Sequence, residues 1–250
     1  MEGQSGIKTV RLSRRLKQLA AMVSRGNSVA DVGCDHGLLS VYLVQQGISS
    51  RVIAMDVRKG PLSGAREHVR AYGLEEYIEL RLSDGLGAFT SGEADTLICA
   101  GMGGRLMQRI LSAEPLKTRS FRELILQPQS ELAEFRRFLR TEGYVIIQEN
   151  ILYEEGQYYF PIKAVYTPEA QQRPASLEGF CRQELLDAYG ELLIRQREPV
   201  LVRYLEHRKR QLLKLSERLE GSDAERASDR LSEISRELSG IEDVLTWMET

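Results

Sequence analysis

The sequence predicts an α/β fold in which a parallel β-sheet, with one antiparallel strand, is flanked by helices and followed by a C-terminal helical hairpin. Two observations support this fold class. Up to residue 141, short apolar runs alternate with amphipathic helical patterns, as expected for parallel strands joined by helices. From residue 201 onward, apolar residues instead recur at heptad spacing, which is typical of two helices packed as an antiparallel coiled coil.

The elements of the sheet domain can be placed from this alternation. An amphipathic helix is predicted over residues 9–24, where Leu12, Leu16 and Leu19 repeat at helical spacing. Strands are predicted at residues 28–33, 51–56, 78–82, 95–100 and 123–127. Further helices are predicted at residues 38–46 and 61–72, from the turn at 101–104 to about 111, and at 131–141.

The end of the sheet domain is predicted from a β-rich pair. Residues 144–153 and 157–166 flank the turn Glu154-Glu-Gly156, which indicates a hairpin and supplies the antiparallel strand. Residues 167–175 are polar and contain two prolines, as in a linker. We therefore expect a sheet domain over residues 1–167 and a helical domain over residues 168–250.

The helical domain carries opposite charges on its two arms. The first arm is basic and the second is acidic, with the turn at Gly221-Ser-Asp223 between them. Pro199 is expected to mark where the hairpin leaves the preceding helix. The two arms either neutralise each other or leave basic residues available for a phosphate backbone. A fold back within one chain, and hence a monomer, is preferred over pairing between chains.

Composition narrows the possible functions. A chain of 250 residues with 42% hydrophobic content can bury a sizeable core. The three cysteines form no C-x-x-C pair and the three histidines are scattered, so we expect no metal centre. The N-terminus lacks the apolar core of a signal peptide, and no apolar run reaches membrane-spanning length. A cytoplasmic protein is expected.

The most informative motif is the turn after the first predicted strand. Residues 31–37 read D-x-G-x-D-x-G, with acids at Asp31 and Asp35. A dinucleotide turn keeps carboxylates away from the pyrophosphate that binds there. Two acids instead suit a cationic ligand, and S-adenosylmethionine carries both an ammonium and a sulfonium. The alternative is an Asp-rich capping turn.

Other strand ends extend this pattern. Asp56 ends the second strand, where a carboxylate can accept hydrogen bonds from both ribose hydroxyls, and Asp84 follows the third. The fourth strand runs into Ala100 and the turn Gly101-Met-Gly-Gly104, whose small residues leave room for a second ligand. Because ligands of open parallel sheets bind beyond the carboxyl ends of the strands, these residues outline a pocket for an adenosyl cation beside a substrate site.

Six segments together resemble one family. They are residues 12–16 (LSRRL), 29–36 (VADVGCDH), 56–62 (DVRKGPL), 84–86 (DGL), 100–104 (AGMGG) and 124–128 (LILQP). The chain is similar over nearly its whole length to the bacterial tRNA (adenine-N1)-methyltransferases that modify position 22 in the D arm, the TrmK family. Two departures are Cys34, where the family commonly has Ser or Thr, and Gly37-Leu-Leu-Ser40, where Ala-Tyr-Leu-Pro is usual. The lost Tyr weakens any role for an aromatic residue there.

The resemblance implies a Rossmann-like methyltransferase sheet and an S-adenosylmethionine-dependent enzyme that acts on tRNA without a metal. The implied cofactor-binding residues are Asp31, Gly33, Cys34, Asp35, Gly37, Asp56, Val57, Asp84, Gly85, Ala100 and Gly101. The residues expected around the reacting atoms are Asp35, His36, Met102 and Gly103. Two basic clusters are expected to contact RNA: Arg11, Arg14, Arg15 and Lys17 near the N-terminus, and Arg195, Arg197, Arg203, Arg208, Lys209 and Arg210 in the helical domain.

The residues present also suit this chemistry. Adenine N1 has an in-plane lone pair, so no side chain need deprotonate it, and catalysis rests on orientation. The Asn-Pro-Pro-aromatic turn of exocyclic-amine methyltransferases is replaced by Gly101-Met-Gly-Gly104, which favours N1 as the acceptor. Met102 either borders the acceptor or packs the core. Asp35 and His36 either orient the base or serve only the turn and the cofactor.

Two other functions remain compatible with the sequence. One is methylation of a small molecule, against which the two basic clusters argue. The other is a non-catalytic RNA-binding or scaffold protein that keeps a relict methyltransferase fold. Cofactor binding separates this last hypothesis from the other two.

Overall fold

The computed structural model describes residues 9–167, 182–220 and 225–250. The chain forms two compact units. One comprises the residues up to Asn150 together with Tyr159 and the strand that follows; the other comprises Ile151–Tyr158 and the C-terminal helices. The predicted domain boundary is at residue 167, the last residue described before a gap, and most of the predicted linker lies outside the described residues. Both the boundary and the linker therefore stay predictions.

The first unit is built on a seven-stranded sheet of order β3-β2-β1-β4-β5-β9-β6. Strands β1 to β5 pair in parallel, whereas β9 runs antiparallel to both β5 and β6. The predicted sheet with one antiparallel strand is confirmed. The seven strands are β1 Val29–Val32, β2 Val52–Asp56, β3 Ile78–Leu82, β4 Thr96–Met102, β5 Glu123–Pro128, β6 Tyr144–Glu149 and β9 Ile162–Tyr166.

Helices join the strands and bury the sheet between two apolar clusters. The helices are α1 Arg14–Met22, α2 Leu38–Gln45, α3 Lys59–Ala71, α4 Gly104–Ala113, α5 Pro115–Thr118 and α6 Leu132–Thr141. In one cluster, residues of helices α1, α2 and α3 pack against sheet residues such as Val29 and Val52. In the other, residues of α4 and α6 pack against sheet residues such as Ala30 and Ile53. β1 and β2 are buried at every position, as the central strands of a covered parallel sheet should be.

Three local features differ from the predicted elements. α1 begins at Arg14 and not at residue 9, because Ser13 caps it by accepting a hydrogen bond from the Leu16 N–H at 3.3 Å. The short α5 was not predicted. The predicted hairpin is interrupted near Asn150 and Pro161, and its tip forms a separate two-stranded sheet of β7 Leu152–Glu154 and β8 Gln157–Tyr159.

The second unit is mainly helical. Its helices are α7 Gln183–Tyr189, α8 Glu191–Arg195, α9 Pro199–Glu220 and α10 Glu225–Glu249. Arg197 near the start of α9 lies over the Trp247 ring at 6.0 Å near the end of α10, and Arg208 pairs with Glu237 further along. These contacts make α9 and α10 antiparallel; the coiled-coil supercoil stays a prediction.

Pro199 is the first residue of α9, a position where a missing N–H and a fixed φ suit a helix start. This agrees with its predicted place at the start of the hairpin. Within the part of the chain that is described, no helix is both long and apolar enough to span a bilayer.

A buried ion pair ties α1 to the far side of the sheet. Lys163 Nζ on β9 lies 2.8 Å from Glu123 Oε2 on β5 and donates to the Met22 carbonyl at 2.9 Å. Ser24 Oγ also donates to Glu123 Oε2, at 2.6 Å. Burial would raise the pKa of Glu123, but the hydrogen bonds from Lys163 and Ser24 outweigh it and hold that pKa below its usual value.

Replacing Lys163 by Met should destabilise the protein by about 3 kcal/mol at pH 7, because Glu123 would keep a buried charge without its cation. A lowered pKa gives stability above the usual Glu pKa of about 4.3, and that stability is lost as pH falls below it. The difference in unfolding free energy between the wild type and the Lys163→Met variant, measured in urea, should therefore become smaller at acidic pH.

The matched control is Arg105→Met, which removes the exposed Arg105–Glu131 pair at 3.3 Å. This change should alter the unfolding free energy by less than about 1 kcal/mol. If Lys163→Met and Arg105→Met lost the same unfolding free energy, the buried pair would contribute no more stability than an exposed one.

Candidate functional site

A cleft of about 660 Å³ opens at the carboxyl ends of the parallel strands. It lies where the strand order reverses between β1 and β4, which is where open α/β sheets bind ligands. Its walls come from the ends of β1 to β4, from α1 and α4, and from the segment after β5. The cleft-lining residues all belong to the first unit.

The turn after β1 forms the floor of the cleft. Gly33 has a φ of +75°, which suits glycine, and its N–H donates to the Met55 carbonyl at 2.8 Å. A Cβ on Gly33 would lie 2.8 Å from Met102 Cε. Asp35 also has a positive φ, of +50°. The absence of a side chain at Gly33 therefore leaves room for the Met102 side chain beside the β1 turn.

Asp31 is a buried carboxylate at this floor. Only 4% of the residue is exposed, and its Oδ2 accepts a hydrogen bond from Ser40 Oγ at 2.7 Å. Burial raises its pKa to about 6, against the lowering effect of Ser40, and the nearby Asp56 carboxylate raises it further. Near neutral pH this group is a buried negative charge, which a bound cation would stabilise.

Asp56 is a second buried acid, at the end of β2. Its Oδ1 accepts the Arg58 N–H at 2.9 Å and its Oδ2 accepts the Asp35 N–H at 3.3 Å. The Arg58 guanidinium lies 3.6 Å from Asp56 Oδ1 and 3.9 Å from Asp35 Oδ1. Asp56 thus braces the β1 turn, and its 4% exposure leaves a small surface toward the cleft.

The end of β4 supplies the opposite wall. The pairing register with β5 shifts between Ala100 and Met102, and Gly101 in the middle has a φ of +77°. Met102 points its Sδ to 3.5 Å from Cys99 Sγ while still lining the cleft. Met102 thus packs against the core and also lines the cleft; its contact with an acceptor stays a prediction.

Arg15 enters the cleft from α1. Its Nη1 donates to Oε1 of the fully buried Gln127 at 2.9 Å, and its guanidinium lies over the Tyr159 ring at 5.4 Å. The same Nη1 would lie 3.5 Å from a Cβ on Gly101. A residue of β5 and the last residue of β8 therefore orient one cation beside the glycine turn.

The cleft and its fold match known methyltransferases. A family model described as "Methyltransferase domain" matches residues 12–162. The curated tRNA (adenine(22)-N(1))-methyltransferase of Bacillus subtilis is 31% identical over 94% of this chain and 98% of its own length. The chain belongs to the TrmK family.

Solved structures agree with this membership. The crystal structure of B. subtilis TrmK superposes with a TM-score of 0.79 at 30% identity and covers 94% of this chain and 99% of that one. Mycoplasma capricolum TrmK, solved with S-adenosyl-homocysteine, gives 0.77 at 25% identity over 95% and 99%. A Streptococcus pneumoniae protein solved with S-adenosyl-L-methionine gives 0.77 at 31% identity over 94% and 100%.

Most of the site residues predicted for this TrmK-family chain come together in the cleft. Gly37 and Gly103 do not line it: Gly37 precedes α2 and packs against Ala65, and Gly103 precedes α4 near Ser130. The predicted residues that line the cleft are Asp31, Gly33, Cys34, Asp35, His36, Asp56, Val57, Asp84, Gly85, Ala100, Gly101 and Met102. Their roles toward a ligand stay predictions.

Sequence reasoning missed several cleft residues. Three of them, Leu106, Arg109 and Ile110, lie on one face of α4 at helical spacing. Because α4 starts at the glycine turn that was already assigned to the site, this face could have been predicted to line it. Arg58 lies two positions after Asp56 and also lines the cleft, but an arginine at this position does not by itself indicate a ligand site. The other missed lining residues are Leu16, Val32, Leu38, Leu39, Ser83 and Gln129.

The predicted RNA-binding residues occupy two settings. Of the N-terminal group, Arg15 lines the cleft, whereas Arg11, Arg14 and Lys17 are exposed. In the helical unit, Arg195 pairs with Glu191, Arg208 with Glu237, and Lys209 with Glu242. Neutralisation between the arms, one of the two sequence alternatives, therefore applies to Arg208 and Lys209. Arg203 and Arg210 are exposed.

Within the described ranges, no group of three His, Cys, Asp or Glu side chains is placed to hold a metal ion. Both cysteines near the cleft are buried, and burial raises the pKa of Cys99 to about 12 and that of Cys34 further. Thiolate chemistry at neutral pH is therefore disfavoured here. The chemical capacity of the cleft lies in its carboxylates, its glycine turn and its arginines.

Replacing Asp31 by Asn should stabilise the free protein at pH 8. A raised pKa means that ionisation of Asp31 opposes folding above about pH 6, by at most roughly 3 kcal/mol. The gain in melting temperature should fade below pH 4, where the unfolded state also binds the proton. Ser40 is present in both the wild type and the variant, and it can donate a hydrogen bond to Asp31 or to Asn at that position. A variant that is less stable at pH 8 than at pH 4, relative to wild type, would contradict the buried charge.

Proposed function

We propose that this protein transfers a methyl group from S-adenosylmethionine to N1 of the adenine at position 22 of tRNA. The observation that carries the proposal is the pair of buried carboxylates, Asp31 and Asp56, at the floor of a cleft whose far wall is a glycine turn. The activity named for the B. subtilis relative over nearly its full length supports the same reaction.

The acidic end of the cleft fits the cofactor. The sulfonium and ammonium are cations, and a buried ionised Asp31 would gain a partner on binding them. Asp56 and Val57 would hold the ribose, and Asp84 and Gly85 the adenine. Gly33 lines the cleft and carries no side chain, so it would let the ligand approach the backbone. Bound in this way, the cofactor supplies the electrophilic methyl group.

The glycine turn at the end of β4 fits the acceptor base. Adenine N1 would attack the methyl carbon with its lone pair while the carbon–sulfur bond breaks, which gives N1-methyladenosine as a cation and S-adenosylhomocysteine. No proton needs to leave before attack, so the chain's contribution is to align the two groups and exclude water. Gly101 and Met102 would border the base.

Asp35 and His36 are proposed to stand at the rim of the reacting centre. His36 Nε2 lies 4.0 Å from Asp35 Oδ1, and its carbonyl contacts His68 Nδ1 at 2.8 Å. Negative charge on Asp35 would favour the positive charge that develops on the methylated base. Gly103 does not line the cleft, but it precedes α4 and would help to position the start of that helix beside the acceptor base.

The tRNA would be held by phosphate contacts. N1 lies on the Watson–Crick edge, so the target base must leave its stack to react. Exposed Arg11, Arg14 and Lys17 on the sheet unit, and Arg203 and Arg210 on the helical unit, are proposed to contact phosphates without reading sequence. A tRNA substrate also agrees with the expected cytoplasmic location, which remains a prediction.

The first test is methyl transfer to an unmodified tRNA transcript that carries adenine at position 22. Labelled S-adenosylmethionine should place one methyl group per tRNA, and mass spectrometry of the nucleosides should identify N1-methyladenosine. A transcript with guanine at position 22 is the matched control and should accept none. Methylation of an exocyclic amine, or equal labelling of both transcripts, would contradict the proposal.

The second test is cofactor binding by calorimetry. Asp56→Ala should weaken S-adenosylmethionine binding at least about tenfold, because it removes the acid that braces the turn and faces the ribose. In the wild type, affinity should fall by up to about tenfold per pH unit below pH 6, as Asp31 takes up a proton and loses its attraction for the cation.

The control for the second test is Asp31→Asn, in which the pH dependence below 6 should disappear along with most of the affinity. Arg14→Ala should leave cofactor affinity unchanged and flatten the salt dependence of tRNA binding. An unchanged pH profile in Asp31→Asn would assign the titration to another group.

A further inference from the structure

We infer that Arg15 binds a phosphate group flanking the target adenosine inside the cleft, and so positions the extruded nucleotide for methyl transfer. This inference rests on the proposed function. It separates Arg15 from the other basic residues of the N-terminal group, which lie on the surface. Arg15 is instead one of the residues that line the cleft.

The first argument is the division of charge along the sheet edge. All four acids of the cleft lie in or directly after strands β1, β2 and β3: Asp31, Asp35, Asp56 and Asp84. Gln127, the hydrogen-bond partner of Arg15, lies on β5. In the sheet order β5 is two strand spacings from β1 and three from β2, which is roughly 10 to 14 Å. The acidic end suits a cationic donor, and the Arg15 end suits an anion.

The second argument is that Arg15 is held in place before any ligand arrives. Its Nη1 bonds to a fully buried glutamine amide, and its guanidinium plane is supported by the Tyr159 ring. A guanidinium presents five N–H donors in a rigid fork that matches phosphate oxygens. Orientation by two neighbours lowers the entropy lost when such a fork binds a ligand.

The third argument decides between the phosphate and the base as the partner. Methyl transfer moves the positive charge from the sulfonium to the adenine ring. A guanidinium in contact with that ring would repel the developing charge and raise the barrier. A guanidinium on a phosphate instead has a permanent anion as its partner, and it fixes the base only through the nucleotide backbone. Arg15 lies near Gly101, where one nucleotide can span both groups.

The test uses tRNAs in which one phosphate flanking adenine 22 is replaced by an uncharged methylphosphonate, on the 5′ side in one tRNA and on the 3′ side in another. With wild-type protein, one of the two replacements should lower kcat/KM by about 10- to 100-fold, as expected for loss of a charge-assisted hydrogen bond. Arg15→Ala should lose a similar factor on the natural tRNA and lose little more on the methylphosphonate tRNA.

Matched variants guard against a merely structural effect. Arg14→Ala should stay fully sensitive to the methylphosphonate, because Arg14 is exposed on the same helix. Arg15→Lys keeps the charge but not the fork, and should show an intermediate loss with part of the methylphosphonate sensitivity. Arg15→Ala removes a hydrogen bond to the buried Gln127 and should cost about 1–3 kcal/mol of stability, so the assays are run well below its melting temperature. Its cofactor affinity should match wild type within about twofold.

The outcomes are distinguishable. If wild-type protein methylates the natural tRNA but the losses from Arg15→Ala and from either methylphosphonate multiply, Arg15 does not bind those phosphates and this inference is wrong. The same holds if neither methylphosphonate affects the wild type. If wild-type protein methylates no tRNA at all, the proposed function fails, and this inference fails with it.

Discussion

The structure of the site depends on keeping a carboxylate in the interior of the sheet. Asp31 stands near the end of a fully buried strand, where the Ser40 hydroxyl donates a hydrogen bond to its carboxylate. A charge in such a place is unfavourable, and the raised pKa of about 6 expresses this. The unfavourable charge is what makes a cationic ligand stabilising, so stability of the free protein and affinity for the donor oppose each other at this residue.

Much of this arrangement could be predicted because parallel sheets follow strict rules. Polar residues after β1, β2 and β3 must meet at one edge, since parallel strands all end on the same side. The residues at the ends of those strands, such as Asp56 and Asp84, therefore reached the cleft as expected. The parallel pairing and the one antiparallel strand followed from the alternation of elements and the closing hairpin, whereas the order of the strands was not predicted.

What could not be predicted depends on tertiary contacts that no local pattern records. Arg15 looked like one of several basic residues on an amphipathic helix, and only Gln127 and Tyr159, far away in sequence, bring it into the cleft. The division of the hairpin was likewise hidden, because residues 151–158 group with the helical unit although they interrupt the sheet unit in sequence. Glycine type alone also did not separate Gly33, which lines the cleft, from Gly37, which packs on Ala65.

The separation of acids from Arg15 along one sheet edge has a consequence for the direction of the proposed reaction. Before transfer, the donor carries two positive charges that the acidic end can stabilise. After transfer the sulfur is neutral, so Asp31 would lose one of the two cations of the donor as a partner, and the spent donor would be held less tightly. The methylated base now carries the charge, and a guanidinium that is bound to a phosphate and not to the ring would not oppose the formation of that charge. One fixed arrangement of charges would therefore favour binding of the charged donor and the tRNA phosphate, and would favour release of the neutralised donor after transfer.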